Sequence, residues 1–173
     1  MIMRTISSII TVLLLSTTLS FAQKFAFVDS EYILANIPAY KAAQDKLDEI
    51  SADWQKEVEQ KYEEVKKMYD AYKSEQVLLS DEMKVKRAEE IEKKEKEVKD
   101  LQRKYFGQEG ELFNKRQELV KPIQDEVFNA VKEIAIEGGY AIIFDTAGGP
   151  NILYSNPKND KSDMVLEKLG YKN

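Results

Sequence analysis

The chain has 173 residues with no cysteine and no histidine, which excludes disulfides, thiol nucleophiles, imidazole acid–base groups and the usual zinc ligands. Acidic residues outnumber basic ones, 31 to 26, which argues against a duplex nucleic-acid binder, since such a protein carries a basic surplus or stripe. Seven glycines and four prolines fit a mostly helical protein.

Residues 1–22 read as a signal peptide. Arg4 supplies the positive start, 6–19 is an apolar run, and Ser20 and Ala22 are the small residues that a signal peptidase reads. The run is short for a span of about 20 residues. Cleavage is expected after Ala22, leaving Gln23 first and a net charge of −6 from 25 basic and 31 acidic residues. No cysteine follows the run, so a lipoprotein anchor is not expected.

Residues 24–29 predict a strand, with Phe25 and Phe27 on one face and Ala26 and Val28 on the other. Both faces are apolar and need cover. A short helix follows, capped by Ser30. Pro38 suits a first turn, so a long helix is expected from 38 to about 77, roughly 60 Å long at 1.5 Å per residue. Its apolar seam runs Tyr40, Ala43, Leu47, Ile50 and Trp54, then Val58, Tyr62, Val65, Tyr69 and Tyr72. Residues 78–82 form the turn, and Ser80 or Asp81 caps the return helix. That helix opens almost wholly charged, with Val85, Ala88, Ile91 and Val98 as a thin seam and pairs four apart such as Glu89–Lys93 and Glu90–Lys94. Gly107 and Gly110 lie in its run and mark a bend or a close contact. Pro122 predicts a kink. These three are the candidate hinges.

Gly138 and Gly139 end the helix. Residues 140–146 predict a second strand. A turn at 147–151 then leads to a third strand at 152–155, the two forming a hairpin. A last helix runs to Leu169, capped by Asp160 or Ser162. Three strands with apolar residues on both faces cannot be covered by one small chain, and open sheet edges invite pairing. The expected fold is α+β and predominantly helical. A small β body (23–37 and 123–173) is completed by oligomerisation through Phe25, Phe27, Ile142, Phe144 and Leu153. A long antiparallel helical hairpin (38–122) forms an arm.

No residue pattern carries chemistry. There is no Walker-type phosphate loop, and Gly148-Gly149-Pro150 reads as a turn. Asp29 and Asp145 end strands and read as turn or cap residues. The run 92–96 mixes lysine with glutamate and reads as a solvated face rather than a nucleic-acid patch. No catalytic residue, cofactor or metal is expected. Trp54, Tyr62, Tyr69, Tyr72, Tyr105 and Phe106 are spaced to pack the two arm helices together. Such residues also suit contact with an apolar partner, which makes them the candidate client-binding set.

The strand ending Phe27-Val28-Asp29, the charged hairpin, Pro122-Ile123, the segment from Gly139 to Asp145, and 152–155 together resemble the Skp/OmpH family of periplasmic chaperones for outer-membrane proteins. The resemblance implies a homotrimer with a β-barrel body and three arms around a cavity. It implies an ATP-independent holdase for unfolded outer-membrane proteins in the periplasm, with no enzymatic activity. Well-known enterobacterial members are basic, whereas this chain is acidic. Contact with lipopolysaccharide or anionic lipid is therefore expected to be weak, with Lys84, Lys86 and Arg87 the nearest residues to such a role. The competing reading is a structural coiled-coil spacer or adaptor of the cell envelope.

Overall fold

The computed structural model describes residues 23–149, 152 and 154–171. The expected signal peptide, Leu153 and the last two residues of the 147–151 turn lie outside these residues. Strand β1 (Lys24–Val28) leads into α1 (Ser30–Ala35) and the long helix α2 (Pro38–Glu75). The return comprises α3 (Asp81–Phe106), α4 (Glu111–Leu119) and α5 (Lys121–Gly138). Strand β2 (Tyr140–Asp145), a 3-10 turn (Pro157–Asn159) and α6 (Ser162–Lys168) complete the chain.

Local chemistry explains most boundaries. Asp29, not Ser30, caps α1: its Oδ1 accepts from the Tyr32 N–H at 2.9 Å. Ser30 instead bonds through its own N–H and hydroxyl to Asp145. Pro38 opens α2, where its missing N–H costs no hydrogen bond. Ser80 caps α3 by accepting from the Met83 N–H, with Asp81 and Glu82 in the first turn against the positive helix end. Lys161 stands at the N-cap of α6 without a side-chain cap bond, so neither Asp160 nor Ser162 caps it as expected; Asp160 Oδ1 instead accepts from both the N–H and the hydroxyl of Ser162. Gly139 ends α5 at φ 65°, a left-handed conformation that favours glycine.

The return is broken twice. Gly107 follows the last residue of α3 and Gly110 precedes the first of α4, so neither sits in a helix interior. A side chain at Gly107 would run into the Arg103 carbonyl, so the chain can turn this closely only without one. The second break falls at Val120, and Pro122 lies in the first turn of α5. The clash with the Glu118 carbonyl expected of an interior proline is avoided because α4 stops at Leu119.

The sheet differs from expectation. β1 and β2 pair in parallel, with Phe25 opposite Ile142 and Phe27 opposite Phe144. A parallel pair needs a long crossover, and here the whole helical hairpin is that crossover. Among the described residues no third strand forms. β2 ladders with β1, while Asp160 and Lys161 reach the other side of β1, the Lys161 N–H donating to the Phe27 carbonyl at 2.9 Å. The apolar run at 152–155 is suited to a sheet, but the sheet of the described residues holds β1 and β2 alone.

The body core gathers Val28, Ile33, Ile37, Val127, Ala130, Ile134, Val165 and Leu166. Ser162, buried with them, accepts from the Asp29 N–H at 2.9 Å and ties α6 to the end of β1. Lys168 bonds to both Glu133 and Glu137, joining α6 to α5. At the root of the hairpin, Ala43 and Leu47 pack on Val120. Farther out, Val58 and Val65 of α2 meet Ile91 and Val98 of α3.

Candidate functional site

The sheet has one covered and one open face. Ala26 and Val28 point into the core, each no more than 5% exposed. On the other side Phe25, Ile142 and Phe144 are 44%, 48% and 45% exposed. The Phe25 and Phe144 rings lie 6.4 Å apart, tilted by 32°. Ile152 and Tyr154 border the same open recess, together with Phe27. Four of the five residues expected to build an oligomer body thus lie on or beside one apolar patch; Leu153 is outside the described residues.

The aromatic residues of the hairpin separate into two groups. Trp54 stacks on Tyr105, ring centroids 4.6 Å apart and planes 2° from parallel. Phe106 meets both edge-on. The Tyr105 hydroxyl donates to Glu57 Oε2 at 2.7 Å, and this bond to a carboxylate pushes the phenol's pKa up. Tyr72 is half-buried against the Val58–Ile91 cluster. These four residues pack helix on helix. Tyr62 and Tyr69 are exposed; Tyr62 donates to Gln102 Oε1 across the hairpin.

The seam therefore departs from the expected one. Met68 takes the half-buried place where Tyr69 was expected. On α3, Val85 and Ala88 are exposed and only Ile91 and Val98 are buried. A run of steps of four drifts around a 3.6-residue helix, and the buried seam positions here, Val58 and Val65 on one helix and Ile91 and Val98 on the other, recur at seven residues instead. The exposed charges also pair differently from expectation. Lys94–Glu97 and Arg87–Glu90 are three apart, and among the described residues only Lys99–Glu95 and Lys121–Asp125 are four apart.

Asp29 and Asp145 serve as caps and clasps. Burial raises the Asp145 pKa, but hydrogen bonds from the Ser30 hydroxyl and the Ala147 and Ser30 N–H groups outweigh it and hold it below the usual carboxylate range. No cluster of acidic groups that could hold a metal occurs among the described residues. Sequence reasoning missed two exposed apolar residues of α5, Phe128 and Ile136. They lie off the 127/130/134 stripe, and that surplus over one buried face was the available signal.

This arrangement has known counterparts. A family model described as Outer membrane protein (OmpH-like) matches residues 24–169. The chain belongs to the OmpH-like family. A solved structure of a candidate outer membrane chaperone (OmpH-like) from Caulobacter crescentus CB15 superposes with a TM-score of 0.65. It is 13% identical, and the match covers 85% of this chain and 83% of that one. At that identity the likeness concerns the fold, which is the predominantly helical α+β fold of the OmpH-like family. No curated protein matches the sequence. No described helix of this OmpH-like chain is long and apolar enough to cross a membrane.

Proposed function

We propose that this OmpH-like protein is an ATP-independent holdase of the periplasm that binds unfolded outer-membrane proteins between the helical arms of a homotrimer. The observation that carries the reading is the open apolar sheet face at Phe25, Ile142 and Phe144, on a body from which a long charged hairpin extends. Small domains gain stability by sharing such a face, and copies joined through it would set several hairpins around a common space. The match to a structure named as an outer membrane chaperone supports the assignment. So does a sequence without a Walker motif, since a holdase needs no nucleotide.

In this reading the hairpin aromatics divide the work. Trp54, Tyr105 and Phe106, with Tyr72, hold the arm together, and the exposed Tyr62 and Tyr69 are free to touch a client. The breaks at Gly107, Gly110 and Val120–Pro122 are the hinges that let arms fit clients of different size. Light scattering of a urea-unfolded outer-membrane barrel, diluted with and without the protein, tests the function. Suppressed aggregation at a molar excess is expected, and unchanged aggregation would overturn the reading. Sedimentation tests the assembly: a stable monomer would remove the cavity. The Trp54 stack, which stiffens one point of the arm, is what a structural spacer would also use. A single stoichiometric envelope partner, in place of many barrel proteins, would favour that role.

A further inference from the structure

The far end of the hairpin carries the most exposed apolar side chains of the described chain. Val77 is 86% exposed and Leu78 is 87% exposed, with Met83 and Val85 also exposed nearby. A solvent-facing turn is ordinarily built from glycine, proline, asparagine, aspartate or serine. Single exposed apolar residues are unremarkable, but these are adjacent and stand at the extremity of an otherwise charge-clad arm. The turn is held in place: the Leu78 N–H donates to the Glu75 carbonyl at 2.8 Å, and Ser80 caps α3 just beyond. Val77 and Leu78 are thus presented by an ordered backbone. Beside them, Leu79, Met83 and the stems of Lys86 and Arg87 line a shallow recess, and methionine adapts to varied apolar shapes.

Charge decides what this tip can receive. Residues 70–90 hold four basic and six acidic side chains, a net −2. Two of the four cations face carboxylates, Lys84 on Asp81 at 3.1 Å and Arg87 on Glu75 and Glu90. An anionic lipid surface or nucleic acid would meet a like-signed tip with half its cations engaged. A second copy of the tip would meet the same negative charge. A folded partner needs about 1,200 Å² or more of total buried surface for a stable complex, and a point of a few side chains offers far less. An unfolded chain needs no single large interface, because weak contacts from several linked arms add through effective concentration.

We propose that Val77 and Leu78, with Leu79 and Met83, form a capture site at the arm tip for neutral or basic apolar stretches of an unfolded polypeptide. The site makes the first contact before the client moves between the arms. It rests on the holdase reading and adds where recognition begins.

The test compares the wild-type full chain with Val77→Ser/Leu78→Ser and with Lys73→Gln, a cation of the same stretch that lies outside the recess. Binding of a fluorescently labelled, urea-unfolded outer-membrane barrel is followed by anisotropy after dilution. Vesicles of zwitterionic and of anionic lipid are tested in parallel by co-sedimentation. The double variant should bind the barrel about tenfold more weakly, with its melting temperature and sedimentation unchanged. Lys73→Gln should stay within about twofold of wild type. If the wild type binds the barrel and the double variant binds equally well, the capture site is refuted while the holdase reading stands. If vesicles bind the wild type and not the double variant, the occupant is lipid and the proposal fails. If the wild type does not bind the barrel at all, the holdase reading fails and the capture site with it.

Discussion

The body and the distal hairpin of one chain are held by different kinds of core. The body core draws eight buried residues from both ends of the chain, so a strand and several helices meet in one cluster. The distal hairpin has four, Val58 and Val65 facing Ile91 and Val98, flanked by half-buried side chains of the same two helices. A three-dimensional core cannot lose a member without disturbing many partners. A linear seam can open in one place and stay closed elsewhere, which places it at the low-stability end of the molecule. The ion pairs that clothe the hairpin add little to this balance, since exposed pairs contribute at most about 1 kcal/mol each.

Matched truncations are the strongest way to break this comparison. Ile33, wholly buried in the body, should cost about 2–5 kcal/mol of global stability when changed to alanine, read by urea unfolding. Ile91→Ala should instead speed hydrogen exchange in α2 and α3 around the seam while body amides keep their protection. Equal loss of protection in body and hairpin would show one cooperative unit and erase the contrast.

Smaller changes sharpen it. Asp29→Ala removes the side-chain cap of α1 and should lower body stability by about 1 kcal/mol, with hairpin exchange unaltered. The pH response should be smaller still and confined to the body. Asp145 has a folded pKa below the ordinary aspartate value, so its stabilising effect is present above about pH 4. It is lost as pH falls through the folded value. Asp145→Asn should flatten that acid limb of the unfolding midpoint, and an unchanged limb would show that other carboxylates carry it.

Much of the fold was legible because its signals are local. Pro38, Ser80 and Gly139 mark helix ends through their own backbone chemistry, whatever packs around them. The strands at 24–28 and 140–145 announced themselves as short runs apolar on both faces, bounded by polar and glycine residues. The candidate site was less legible. Tyr62 and Tyr69 fell on the expected seam by spacing, yet both face solvent. Helical period alone fixes which residues share a stripe, and the partner helix chooses which part of the stripe it covers. Likewise 152–155 had the pattern of a strand, but among the described residues the sheet has two strands, β1 and β2.

The amino-acid sequence by itself determined the helices, the helix ends at Pro38, Ser80 and Gly139, the two interruptions of the return and the surplus of apolar strand residues. Each depends on dihedral preference or on hydrogen bonds within a few residues. Tertiary structure alone decided the parallel pairing of two strands more than a hundred residues apart, the stacking of Trp54 on Tyr105 and the open face at Phe25 and Phe144. Those features depend on which surfaces meet after the chain turns back on itself.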